Sequence, residues 1–163
     1  MKTLSGLISM VVAVLVFVST TDISITEPFR PHEPTGGASV SKIYWSDGDS
    51  GRLDGRPFRL ANVDAPEKGG VGAIGGAKCE AERARAFRVK DKIVEMTRYA
   101  DIRVSKSYGL DRYDREVVDL DVNGRDLASI GIREGHYRPW PHKGERALTR
   151  KPDWCSNQQL AMR

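Results

Sequence analysis

The chain has 163 residues, 29% of them charged and 39% hydrophobic, which excludes a disordered polymer and suits one folded domain with an appendage. Its formal charge of +4 and pI near 9.2 fit a polyanionic partner, and equally a solvated basic face. Much of the basic excess falls late, at Arg133, Arg138, Lys143, Arg146, Arg150, Lys151 and Arg163.

Residues 1–21 carry one lysine, then an apolar run from Leu7 to Val18 broken only by Ser9, then small polar residues. This is the pattern of a secretory signal, and the run is short of the ~20 residues of a comfortable membrane span. No A-x-A cleavage sequence follows it, so an uncleaved anchor is the alternative. Export, periplasmic or secreted, is therefore expected, with membrane contact only if the segment is retained. Residues 22–39 contain three prolines and two adjacent glycines and read as a flexible linker. The folded domain is expected over 40–155, with 156–163 as a tail.

From Val40 the pattern becomes that of strands. Val40, Ile43 and Trp45 form a β-prone run, Asp47-Gly48-Asp49 makes a turn, and Gly51-Arg52-Leu53 pairs back before the hairpin signal Asp54-Gly55. Phe58, Leu60 and Val63 supply the apolar face of the next strand, and alternation sends Arg59 to the other face. Pro66 ends that strand at 64–67. The glycine-rich stretch 68–78 lacks a GxxxxGK[ST] pattern and reads as a flexible connection.

Residues 79–97 predict a helix, with Ala84, Phe87, Ile93, Val94 and Met96 on its apolar side and Glu80, Arg83, Lys90 and Lys92 toward solvent. Strands are expected over 100–108 and 113–122, separated by a turn at Gly109-Leu110-Asp111 and closed by Asn123-Gly124. Asp126 caps a short second helix that Gly135 ends, with Leu127, Ile130 and Ile132 on its apolar side. The remainder to Cys155, rich in proline, aromatics and bases, reads as an irregular segment lying against the domain.

The chemistry is concentrated in residues 44–67, where Asp47, Asp49, Asp54, Asp64 and Glu67 accompany Arg59. Short strands that gather carboxylates suggest a hard cation, and an arginine beside them suggests a bound phosphate. Arg115, from a later strand, would supply the second positive charge that a pentacovalent phosphorane needs. Asp and Gly are also what turns demand, so a charged surface hairpin is the competing reading, and Asp47 and Asp54 are assigned to turns.

The stretches SDGDS (46–50), FRLANVDAPE (58–67), CEAERARA (79–86), DRYDRE (111–116) and NGRDLASIGIREG (123–135) resemble the staphylococcal nuclease (thermonuclease) family. That resemblance covers most of residues 40–137. It implies an α+β, mainly β fold: a five-stranded OB-fold barrel with two to three packed helices. It also implies a calcium-dependent endonuclease that cuts the P–O5′ bond of DNA and RNA to leave 3′-phosphate ends, acting as a monomer. By position, Asp49 and Asp64 look like the Ca²⁺ carboxylates and the Ala65 carbonyl a further ligand. Arg59 matches the arginine on the scissile phosphate, Glu67 the general base and Arg115 the second arginine. Tyr113, with neighbouring Arg112, matches the nucleotide-contacting position. Some relatives keep the barrel without the catalytic residues, so a nucleic-acid- or protein-binding module is the alternative.

The chain departs from the family pattern at Asp114, where glycine is common, at Ser50 and Ala65, each in place of a threonine, and in the Arg/Pro-rich tail beyond Tyr137. Asp114 puts an acid beside Arg115 that would weaken phosphate binding if it turned inward. Two cysteines in an exported chain predict a Cys79–Cys155 disulfide tying the tail to the long helix, and His32, His136 and His142 give no zinc spacing with them.

Overall fold

The structure is a computed structural model that describes residues 37–144 and 146–156. The expected signal or anchor, the linker up to residue 36 and the tail beyond Ser156 lie outside the described residues. Among those described, no helix is long and apolar enough to cross a membrane.

The fold is α+β and mainly β. Strands β1 (Ala38–Ser39), β2 (Ile43–Trp45), β3 (Ser50–Leu53), β4 (Arg56–Leu60) and β5 (Val63–Asp64) precede helix α1 (Glu80–Thr97). Then come β6 (Ile102–Leu110), β7 (Glu116–Val122), β8 (Arg125–Asp126), α2 (Leu127–Arg133), β9 (Arg138–Pro139), β10 (His142–Lys143) and β11 (Arg146–Ala147). One sheet runs β1-β6-β7-β4-β3-β2, with β8 added beside β7, and it curls into a half-barrel. The β4–β7 pair is parallel and its other pairs are antiparallel.

Local chemistry explains most of the turns. Asp54 and Gly55, both at positive φ (47° and 86°), close the β3–β4 hairpin, and Asn123 and Gly124 (51° and 72°) close β7–β8. In β4, Phe58 and Leu60 are buried while Arg59 faces the other way, as alternation requires. The core gathers Trp45, Phe58, Leu60, Ile93, Val118, Leu120 and Leu127, with Trp45 edge-on to Phe58. Burying each such side chain contributes ~1.5–3 kcal/mol, so this cluster sets the frame on which the acids are mounted.

Several sequence expectations need correction. The strand expected to continue through Val63 stops at Leu60; Asn62, at φ 58°, turns the chain, and Val63-Asp64 pairs instead with Arg138-Pro139. β6 extends past a bulge to Leu110, and β7 starts only at Glu116, so Tyr113 lies in the connecting turn and Arg115 just before the strand. The glycine-rich stretch does form the expected connection, between β5 and α1, with turns closed by Ala73 N–H to Gly70 C=O, Gly76 N–H to Ala73 C=O and Gly72 N–H to Ala77 C=O.

In α1 the buried stripe is Glu82, Ala86, Val89, Ile93 and Thr97, whereas Phe87 is 46% exposed. Glu82 and Thr97 carry no hydrophobic signal, yet the helical period runs through them. Thr97 Oγ1 donates to the Ile93 carbonyl and accepts from Trp45 Nε1, so burying it leaves no group unpaired. In α2 Gly131 rather than Ile132 is buried. A Cβ at Gly131 would lie 2.2 Å from Cδ2 of Tyr137, so the tyrosine ring can pass only over a glycine.

Candidate active site

The β2–β3 turn delivers the first acids. Ser46 and Asp47 N–H both donate to the Ser50 carbonyl, and Gly48 N–H donates to Asp47 Oδ1. Gly48 lies against the β5 end and α1, where a Cβ would come within 2.8 Å of Ala65 Cβ and 3.0 Å of Val89 Cγ1. Its carbonyl accepts from the hydroxyl of buried Tyr137 at 2.8 Å. This close approach sets Asp47 and Asp49 beside Asp64 and Glu67, which β5 and the following Pro66 turn present. Glu82, buried in the first turn of α1, orders that turn by accepting from Glu67 N–H (3.2 Å) and Lys78 N–H (2.7 Å).

Arg59 projects from β4 into the same group. Its guanidinium donates to Asp49 Oδ2 (3.3 Å) and the Val63 carbonyl (3.4 Å), and it stacks 5.0 Å from the centroid of Trp140. Asp64 is fully buried; Trp154 Nε1 donates to its Oδ2 at 2.8 Å. Lys151 Nζ hydrogen-bonds Glu67 Oε1 at 2.5 Å and stands 3.4 Å from Asp64 Oδ1. That second contact acts chiefly through charge, and by strict distance-and-angle geometry Asp64 Oδ1 has no hydrogen-bond partner.

The electrostatics follow from this crowding. Burial, then the charge of Asp49, pushes Asp47 from 3.8 up to about 6. Burial likewise raises Asp64 to about 6 and Asp49 adds to it, against the pull of Lys151 and the Trp154 hydrogen bond. Burial opposes the Lys151 ammonium, but its bond to Glu67 and the charges of Asp64 and Glu67 outweigh this and hold its pKa above the usual lysine value. Asp47, assigned to turn formation from sequence, thus belongs electrically to the acid cluster.

Arg115 forms a second group. Its Nε and Nη2 both donate to Asp111 Oδ2 (2.9 and 2.7 Å), and Tyr113 is flanked by the guanidiniums of Arg112 (4.9 Å) and Arg115 (5.3 Å). These bonds outweigh partial burial and hold the Asp111 carboxyl below its usual pKa. The β4–β7 register pairs Phe58 with Glu116 and Arg59 with Val117, which sets Arg115, the residue ahead of β7, two positions before the partner of Arg59. Asp114 is exposed at φ 57°, and Arg115 engages Asp111 instead. A left-handed backbone favours glycine but tolerates aspartate, which accounts for an acid at this position whose charge is not paired with Arg115.

The structure therefore brings together Asp49, Arg59, Asp64 and Glu67, with Ala65 buried between the last two, and keeps Arg112, Tyr113 and Arg115 as a flanking arginine–tyrosine group. Sequence reasoning missed Tyr137, Trp140, Lys151 and Trp154, all in the segment read as irregular. The disulfide between Cys79 and Cys155 is present, with a Cα–Cα distance of 6.1 Å. It is also the signal that could have found them: a tail bonded to the residue that opens α1 must return past residues 64–78.

The donors suit a hard cation in part. Asp64 Oδ1, a buried carboxylate oxygen without a hydrogen-bond partner, is the kind of atom a metal ion satisfies. Among the described residues no three Asp, Glu, His or Cys side chains converge closely enough to form a complete cage. Calcium, which takes 6–8 oxygens, would here draw on main-chain, solvent and substrate oxygens as well. No protein-family model matches the chain, and no curated protein matches it significantly.

Proposed function

We infer that the protein is an exported, calcium-dependent endonuclease that hydrolyses DNA and RNA on an OB-type barrel of the staphylococcal nuclease kind. One observation carries the reading: Arg59 held on Asp49 beside the buried, under-satisfied Asp64 and the carboxylate of Glu67. Asp49, Asp64 and the Ala65 carbonyl would hold the ion, which when bound supplies positive charge for the phosphate. Arg59 offers a planar fork to the scissile phosphate, with Asp49 and Trp140 orienting it. Glu67 accepts the proton of the attacking water, and Arg115 neutralises charge that builds on the phosphorane or the leaving 5′ oxygen. Tyr113 and Arg112 offer a stacking and phosphate surface to the adjoining nucleotide. The disulfide agrees with an oxidising compartment.

A binding module without turnover is favoured by one contact, Lys151 on the proposed base Glu67. Digestion of single-stranded DNA and of RNA, with calcium and with chelator, separates the two. The endonuclease reading expects calcium-dependent cleavage that falls by about 10²–10⁴ in Glu67→Gln and by about 10²–10³ in Arg59→Ala. Binding of both nucleic acids with no cleavage above the Glu67→Gln level would establish the module instead.

A further inference from the structure

We propose that Lys151 is a tethered cation of the acid cluster that a divalent ion must displace, so that the C-terminal strap sets the metal affinity of the site. This inference rests on the cation site proposed above.

The lysine is delivered by a strap braced on both sides. Before it, β9 pairs with β5, Trp140 N–H donates to the Asn62 carbonyl, and His142 N–H donates to Asn62 Oδ1. After it, Trp154 Nε1 holds Asp64 Oδ2, and Cys155 is bonded to Cys79 at the start of α1. Between these anchors the Lys151 ammonium lies 5.7 Å from the Trp140 ring centroid, its charge directed at Glu67 and Asp64. A surface lysine on a loose tail would have no such bracing.

The position of the ammonium makes it a competitor rather than a bystander. Its nearest Asp64 atom is Oδ1, the same oxygen that has no hydrogen-bond partner and is offered to a metal. A cation held by that oxygen would stand close to the ammonium, which is itself 3.4 Å from it, and the two like charges would repel. Binding must therefore swing the lysine off Asp64, and off Glu67 if that carboxylate is to accept a proton. Lys151 is 35% exposed, so its flexible stem has solvent to move into.

The test is calcium affinity, measured by calorimetry on the whole chain without nucleic acid, for wild type, Lys151→Met and Lys151→Arg. Lys151→Met should bind calcium about tenfold or more tightly than wild type, the equivalent of removing one charge-assisted contact, and Lys151→Arg should not. Equal or weaker binding by Lys151→Met would overturn the role of the lysine and leave the cation site standing. No calcium binding by either protein at millimolar concentration would remove the site itself, and the inference with it. A second measurement needs no variant: amine acetylation of wild type read by mass spectrometry, referenced to Lys92. Calcium should raise Lys151 labelling severalfold, and unchanged or reduced labelling would refute displacement.

Discussion

Replacing Asp64 with asparagine tests whether the fold carries a carboxylate that burial disfavours. Asp64 is fully buried and its pKa stands at about 6, against 3.8 for an ordinary aspartate. At about 1.4 kcal/mol per tenfold change in proton affinity, ionising this group costs the folded state about 3 kcal/mol. Because the folded value lies above the unfolded one, the wild type is free of this cost below pH 3.8 and incurs it as the pH rises through about 6. Asp64→Asn removes the titration and keeps an oxygen for Trp154 Nε1 to donate to. Its unpartnered amide has a cost of its own, but one that does not vary with pH. Urea unfolding of both proteins in chelator, at pH values from 3.5 to 8, should show the variant gaining on wild type by about 3 kcal/mol across that range. Asp47 is retained in both proteins, so its own rise cancels in the comparison. A flat difference, or one that favours wild type as the pH rises, would show that Lys151 outweighs burial at Asp64. Calcium at pH 8 should then stabilise wild type, by about 2.7 kcal/mol at a hundredfold excess over Kd, and leave Asp64→Asn nearly unchanged.

Two further outcomes are expected. Asp114→Gly should leave stability within about 1 kcal/mol of wild type by urea unfolding, because a left-handed residue is relaxed while the unfolded chain gains freedom. Nuclease activity should also be unchanged, and a tenfold gain would show that the Asp114 carboxylate opposes Arg115. Joint replacement of Cys79 and Cys155 by serine should cost on the order of 4–5 kcal/mol in unfolding experiments, since the bond closes a span of 76 residues. A loss under 1 kcal/mol would mean that the strap is held by β9 and Trp154 without it.

Legibility differed between the parts of the molecule for physical reasons. Hairpin turns announced themselves because Asp54-Gly55 and Asn123-Gly124 are residue pairs that accept positive φ. The strand carrying Arg59 was readable because a half-buried strand must alternate. The extent of α1 was readable but its buried face was not, since Glu82 and Thr97 are polar residues whose burial depends on partners elsewhere in the fold. Asp47 looked like a turn residue because its own hydrogen bond is to the adjacent Gly48, while the neighbours that raise its pKa are brought up by packing.

What the sequence determined by itself was the set of candidate groups and most of the local frame: Asp49, Arg59, Asp64 and Glu67 on short strands and turns, and two cysteines available to pair. Those follow from short-range rules of alternation, turn geometry and residue chemistry. Tertiary structure alone decided what surrounds them. The strap from Arg138 to Cys155 has no hydrophobic period, because it is held by a few separate anchors rather than by one continuous face. Only in the folded chain does Trp154 reach Asp64 and Lys151 reach Glu67, across sequence separations of 90 and 84 residues, to set the charge balance of the site.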